Sequence, residues 1–206
     1  HKDIKEKLNF FISNKKIPNI IFHGPSGSGK RTIVNNFINT IYDNNKEKIK
    51  SYVINVNCAH GKGIKFIREE VKFFAKTHIN YKSGGNFKSI ILLNADKLTI
   101  DAQSALRRCI EQFSHTTRFF IIVEDKYKLL KPIISRFCEI FIGEPIINKK
   151  SLNLHKYNLQ KIYNFDIEKK KREIGLQKIL NQAKDLKYEN IENLAVKIYE
   201  KGYSSL

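Results

Sequence analysis

The stretch Gly24–Thr32, "GPSGSGKRT", stands directly after the apolar run "NIIFH" and spells most of a phosphate-binding loop. That pattern, G-x-x-x-x-G-K-[ST], needs glycines whose backbone amides can close around phosphate oxygens, a lysine for their outer charge and a hydroxyl to hold Mg²⁺. Gly24, Gly29 and Lys30 are in register, with Pro25, Ser26, Gly27 and Ser28 between them. The residue after the lysine is Arg31, and the hydroxyl arrives one position late, at Thr32. Arg31 cannot coordinate a cation, and a helix turns by about 100° per residue, so Thr32 does not inherit the metal position. What the loop can do is bind an anion, because backbone amides and a helix N-terminus attract phosphate whatever the side chains. ATP or ADP is the expected ligand, and no metal site is expected.

Hydrolysis would need more. A second strand must end in an acidic residue that holds the metal, usually with a neighbouring group that activates water. The strand "SIILLNAD" offers Leu93 and Asn94 at its end instead, with Asp96 two residues further on. A leucine cannot bind metal, and an asparagine cannot accept a proton.

These residues need a scaffold. "KDIKEKLNFFISN", residues 2–14, carries Ile4, Leu8, Phe11 and Ile12 at helical spacing ahead of Pro18. Five short apolar runs follow, "NIIFH", "SYVINVN", "KSIILL", "RFFIIV" and "CEIFI", near-continuous as strands covered on both faces are. Helical patterns such as "GIKFIREEVKFFAKT" and "DAQSALRRCIEQFS" lie between them. The alternation predicts an α/β domain with a five-stranded parallel sheet flanked by helices, over residues 1–144. At "GEPIINKKS" strand signals stop, and residues 145–206 read as three amphipathic helices in a small all-helical domain. "NYKSGGNFK", around Gly84 and Gly85, reads as a loop, and "EKKKRE" as a solvated helix face.

Composition limits the alternatives. At 206 residues and 41% hydrophobic content the chain can bury one good core and a small satellite, which excludes a disordered tail. Thirty-eight Lys and Arg against twenty Asp and Glu give a net charge of +18, more than solubility needs and suited to a polyanionic partner. A Lys-, Asn- and Ile-rich coding bias is the competing explanation. Cys58, Cys109 and Cys138 lack zinc or disulfide spacing, which fits a reducing, intracellular setting. No apolar run is long enough to span a membrane, so no membrane partner is expected. The chain starts at His1 and has no methionine, which reads as a fragment.

"FKSIILLNADKLTIDAQSALRRCIEQFSHTTRFFII" together with "ISRF" closely resembles the small subunits of replication factor C, the AAA+ sliding-clamp loader of eukaryotes, archaea and many large DNA viruses. "NCAHGKGIKFIREEVKFFA" resembles the segment after that family's second strand, with Asn57, Gly63, Ile64 and Arg68 in place. The likeness runs through five blocks in order to residue 143, and more weakly through the helical lid. It implies an ATP-binding αβ domain, a lid, and a collar that joins subunits into a hetero-oligomeric ring acting with a sliding clamp on primer-template DNA. The collar would lie beyond Leu206. The compartment implied is the nucleus of a eukaryotic cell or a viral replication site.

Set against that family, the chain departs at Leu93 and Asn94, at Glu124 where a sensor asparagine is usual, and at Ser205 where a lid helix carries an arginine. The resemblance is strongest to the non-hydrolysing small subunit that has a basic residue after the loop lysine. It implies a subunit that holds nucleotide, scarcely hydrolyses it, and projects Arg136 of "SRF" into a neighbour's ATP site, where such an arginine is worth about 10³ to 10⁵ in rate. The alternative for Arg136 is an ion pair with a surface carboxylate. Lys65, Arg68 and Lys72, three or four residues apart, are the candidate DNA contacts on one helix face, with a solvated face as the alternative. Three neutralised phosphates would give a log–log salt slope of about −2.7. Arg107 and Arg108 read as anchors of the helix or of a subunit interface. A second possibility is an active AAA+ ATPase in which Asp96 or Glu124 takes over metal or water duties. A small-molecule P-loop kinase would leave "SRF" unexplained.

Overall fold

In the computed structural model the described residues are 1–59, 65, 67–77, 87–147, 150–163, 165–183 and 188–203. They divide into two compact units, His1–His155 and Lys156–Leu206.

The first unit is a five-stranded parallel sheet in the order β2-β3-β4-β1-β5. The strands are β1 Ile20–His23, β2 Val53–Asn57, β3 Lys88–Leu93, β4 Thr117–Val123 and β5 Cys138–Phe141. β1 pairs with β4 through Ile20 opposite Phe120 and with β5 through Ile20 opposite Cys138. Each apolar run feeds two cores, because successive side chains point to opposite faces. Ile21, Ile90, Leu92, Phe119 and Ile121 enter one core; Ile20, Phe22, Ile91, Phe120 and Ile122 enter the other. All ten are essentially inaccessible to solvent apart from a trace at Ile122, and each contributes about 1.5–3 kcal/mol of transfer free energy.

Helices cover both faces. On one side lie α1 (Lys2–Ser13) and α2 (Lys30–Ile41), packed through Leu8, Ile33, Val34 and Phe37, the last set edge-on to Phe120 at 5.7 Å. On the other side lie α4 (Lys72–Lys76) and α5 (Ile100–Phe113), packed through Ala75, Ala102, Leu106 and Ile110. Between α2 and β2 runs α3, Lys46–Tyr52, whose first amides at Glu47 and Lys48 donate to the Asn45 side chain. The sequence reading began a strand at Ser51 instead. Charged Lys46–Lys50 gave it no apolar period, and only the Asn45 cap and Glu47 in the first turn signalled a helix.

The segment read as one helix from Gly63 also differs. Gly63 and Ile64 lie outside the described residues, Ile67–Val71 is a π-helical turn, and α4 begins at Lys72. Gly84 and Gly85 are likewise outside the described residues. The short α6, Lys131–Ile134, leads into β5, and a two-residue antiparallel pair, β6 Ile146–Ile147 with β7 Lys150–Ser151, follows in the stretch where the sequence carries no strand signal.

The helices α7 (Leu154–Tyr163), α8 (Phe165–Ala183) and α9 (Tyr188–Glu200) complete the chain. Within the second unit Arg172 donates to the Lys201 carbonyl at 3.0 Å, and the Tyr203 hydroxyl donates to the Arg172 carbonyl at 3.2 Å. No disulfide joins the described cysteines. Among the described residues no helix is long and apolar enough to cross a membrane.

Candidate nucleotide site

Parallel strands bring their carboxyl ends to one edge, and in such sheets ligands bind in the crevice outside that edge. Here the edge collects the loop after β1, Leu93 and Asn94 after β3, and Glu124 after β4. They line an open cleft of about 520 Å³ together with Ser26, Gly27, Gly29, Lys30, Arg31, Thr32, Asn57 and His155.

The loop is held by backbone geometry. Gly24, Gly27 and Gly29 have φ of +143°, +77° and +89°, a region that favours glycine. A Cβ on Gly24 would stand 2.1 Å from the Ile142 carbonyl oxygen. Gly29 caps α2, and among the described residues the amides from Gly27 to Thr32 have no backbone partner. These are the orphan donors of a helix start, directed at whatever anion the loop accepts.

Lys30 is 8% exposed and turns its ammonium back onto the carbonyls of Gly24 and Pro25, each at 2.8 Å. Burial pushes its pKa below the usual lysine range, and the carboxylates of Glu124 and Asp96 pull it back up. Pro25 and Ser26 are exposed, while Ser28 is fully buried with its hydroxyl unpartnered. Arg31 and Thr32 are both exposed on the cleft wall. The loop thus fits a polyphosphate: unpaired amides, a helix start and a buried lysine converge on one cleft. Of the positions where a metal ligand would be expected, Arg31 and Leu93 have no atom that can coordinate a cation, whereas Asn94 and Glu124 bring oxygen atoms to the cleft.

Four features were not anticipated from the sequence. Asn153 donates to the Ser26 carbonyl at 2.7 Å and to Glu144 at 3.1 Å, while the Leu154 amide donates to the Gly27 carbonyl at 2.9 Å. The chain following β7 therefore clasps the phosphate loop, and His155 reaches the cleft wall. The only sequence signal was Asn153 as a helix cap, bonded by the His155 amide at 3.1 Å.

Asn94 sits in the left-handed region at φ of +55° and donates its side-chain amide to the Asn57 oxygen at 3.0 Å. Gln103, 3% exposed, ties the approaches to Asn94 and Glu124 to α5: it donates to the Leu98 and Lys128 carbonyls and accepts from the Leu130 amide at 2.8 Å. At the end of β1, His23 stacks obliquely on Phe141 at 5.4 Å. Burial and the charge of Lys126 hold its imidazole below the ordinary range, against the pull of Glu139.

Arg136 lies away from the residues lining this cleft. Its Nη2 meets Glu111 Oε1 at 2.6 Å, Arg107 Nε approaches the same oxygen at 3.4 Å, and Nη1 donates to the Pro132 carbonyl. Lys65 is exposed and Lys72 half-buried, near enough to α5 for its charge to act on Cys109. Arg68 lies in the π-helical turn between them. Ser205 lies outside the described residues.

Comparison with known proteins agrees with this architecture. The family model described as DNA polymerase III, delta subunit, matches residues 1–145. Among curated relatives, a replication factor C small subunit from Sulfurisphaera tokodaii is 39% identical over 137 residues, 66% of this chain and 40% of that protein. The replication factor C subunit 3 of Schizosaccharomyces pombe is 37% identical over 150 residues, 73% of this chain and 42% of that protein. The chain thus spans less than half the length of these relatives. Among solved structures, a DNA polymerase III gamma subunit-related protein of Thermotoga maritima superposes with a TM-score of 0.58 at 19% identity, covering 90% of this chain and 64% of that one. A RuvB protein of the same organism gives 0.54 at 13% identity, over 73% of this chain and 47% of that one. Both share the AAA+ fold seen here. The ordered sequence blocks, the sheet order and the phosphate loop at its carboxyl edge agree: this chain belongs to the DNA polymerase III delta subunit family, and it is similar to replication factor C small subunits.

Proposed function

We propose that this chain is a clamp-loader subunit of DNA replication that holds a nucleotide at Gly24–Thr32, hydrolyses it very slowly, and donates Arg136 to the ATP site of a neighbouring subunit. One observation carries the reading. A cleft with an intact phosphate frame and a buried Lys30 has Arg31, Leu93 and Asn94 on its wall at the positions where the usual metal ligand and water activator would stand.

Lys30 and the amides of Gly27 to Thr32 would hold the phosphates of ATP or ADP, which supplies the phosphoanhydride. Leu93 presents a hydrocarbon where a carboxylate is needed, and the Asn94 side chain has no basic atom to receive a proton. Glu124 adds negative charge beside Lys30, opposite in sign to what a transferring phosphoryl group requires. Arg136 belongs to a separate surface, which suits action on a neighbouring subunit. The ring partners, the sliding clamp and primer-template DNA follow from the family, with Lys65, Arg68 and Lys72 as the candidate phosphate contacts and a +18 charge in support.

The test uses the full-length protein assembled with its neighbours. Alone it should bind labelled ADP or ATP and show no Mg²⁺-dependent turnover above background; in the ring, Arg136→Ala should lower ATPase. Robust turnover by the isolated protein would overturn the non-hydrolysing reading, and an unchanged ring rate would overturn the donation. A second reading rests on Glu124 and Asp96, whose charges both reach Lys30: an active ATPase with displaced carboxylates. Asp96→Ala would then abolish turnover.

A further inference from the structure

Glu111 has a role that the family resemblance did not assign. It projects from the last turn of α5 between two arginines, 2.6 Å from Arg136 Nη2 and 3.4 Å from Arg107 Nε, both measured to Oε1. The opposite arm of the Arg136 guanidinium is held as well, by the Pro132 carbonyl, with Ser135 Oγ at 3.4 Å. A guanidinium carries five N–H donors in a rigid plane. Nη1 donates to both Pro132 and Ser135, Nη2 is ion-paired with Glu111, and two N–H groups remain for an external anion. The Arg136 and Glu111 side chains are 39% and 38% exposed, so the pair sits at a surface that a neighbour can reach.

We propose that Glu111 is a positioning residue for Arg136: it fixes the plane of the guanidinium in the free subunit so that the remaining donors are presented ready to meet a neighbour's phosphate. The physical reason is entropy. An arginine side chain loses much rotamer freedom when it engages a ligand, and a planar fork that is already oriented loses less at that step. The Pro132 carbonyl supplies a fixed point on backbone, since α6 is pinned by buried Ile133. Glu111 supplies the second point, and two points determine the plane. Arg107, on the same helix one turn earlier, brings a second positive charge to the Glu111 carboxylate, its Nε at 3.4 Å without forming a hydrogen bond.

This inference rests on the donation of Arg136 proposed above, and the experiment separates the two. The full-length subunit is assembled with its neighbours, every other ATP site in the complex is disabled through its loop lysine, and kcat and KM are read for the one remaining site. Arg136→Ala should abolish nearly all turnover. Glu111→Ala should lower kcat about three- to fivefold, the size of one partly exposed ion pair, with KM unchanged. Glu111→Gln keeps an oxygen acceptor for Nη2 and should recover at least half of the lost rate, a rescue that a merely structural role would not require. Glu111→Ala in the Arg136→Ala background should cost nothing further, because the two act as one unit. Unchanged or increased kcat in Glu111→Ala, or an additive loss in the double variant, overturns the positioning role and leaves the donation standing. No effect of Arg136→Ala overturns both.

Discussion

Replacing Gly24 by alanine asks whether the phosphate loop is held by backbone geometry. At φ of +143° an L side chain is strained before any contact is considered, at about 1–3 kcal/mol. The new Cβ would stand 2.1 Å from the Ile142 carbonyl oxygen, well over an ångström closer than ordinary contact. That oxygen is backbone at the end of β5, where the Ile142 amide donates to His23 at 2.8 Å and the Gly24 amide donates to Glu124 at 3.3 Å. Relieving the clash means giving up one or both of these bonds, at about 1 kcal/mol each. Reduced freedom of the unfolded chain returns about 0.4–1 kcal/mol. The net expectation is a loss of about 2–4 kcal/mol.

Urea unfolding of the purified chain measures this as a shift of midpoint at constant slope. Gly27→Ala is the internal control. Its Cβ would also lie 2.1 Å from an oxygen, but from that of the Asn153 side chain, which can swing away. The cost should then be smaller, about 1–2 kcal/mol, mostly from the left-handed φ of +77°. A Gly24→Ala loss below about 1 kcal/mol, or one no larger than that of Gly27→Ala, would refute the claim that strand-end backbone shapes the loop.

Four other substitutions probe separate parts of the molecule. Lys30→Met should weaken ADP binding about 10- to 100-fold by calorimetry, the worth of one charged hydrogen bond. Tyr42→Phe removes a buried hydroxyl bonded to Ser89 at 2.9 Å and to the Phe87 carbonyl at 3.0 Å, and should cost about 1–2 kcal/mol. Burial pushes the Tyr42 phenol up to about 12, so its stability contribution is complete below pH 10 and lost as pH rises from 10 to 12; unfolding titrations of Tyr42→Phe should lack that alkaline limb. His23 is shifted the other way: its folded pKa lies below 6.5, so its contribution is complete above pH 6.5 and falls away as the solution is acidified below that value, a slope that His23→Asn should flatten. Gly175→Ala, in the middle of α8 with only the Tyr203 hydroxyl at 3.6 Å from the new methyl, should stabilise the second unit by about 0.5–1 kcal/mol in thermal unfolding.

The α/β architecture was legible because it rests on local facts. Five apolar runs of strand length, each flanked by turn residues or helical periods, can be buried on both faces only in a sheet with helices on either side. The phosphate loop was legible for the same reason: glycine spacing and a lysine between a strand and a helix are local features. So was the chemical poverty of Leu93, Arg31 and Asn94, since the inability of a hydrocarbon or a guanidinium to bind metal, and of an amide to accept a proton, does not depend on the surroundings. Other features were not local, and the sequence could not yield them. Charged Lys46–Lys50 forms a helix through one asparagine cap, where periodicity gave no signal. The segment around Arg68 takes a π-helical turn, so the regular three- and four-residue spacing assumed for Lys65, Arg68 and Lys72 is not that of one α-helix.

Tertiary structure alone decided which distant residues share a site. Asn153 lies 127 residues from the Ser26 carbonyl it holds, and Glu111 lies 25 residues from Arg136, the arginine whose plane it fixes. Neither pairing has a spacing rule, because each depends on where the sheet order β2-β3-β4-β1-β5 sets down the ends of its connections. The same holds for the charge beside Lys30: Glu124 reads in sequence as a lost sensor, and becomes a counter-charge only because β4 lies next to β1 and ends at the same edge. Residue types and local spacing thus determined what each group is capable of, and the packing of the sheet determined which groups meet, since contact across a fold follows topology and chain length carries no record of it.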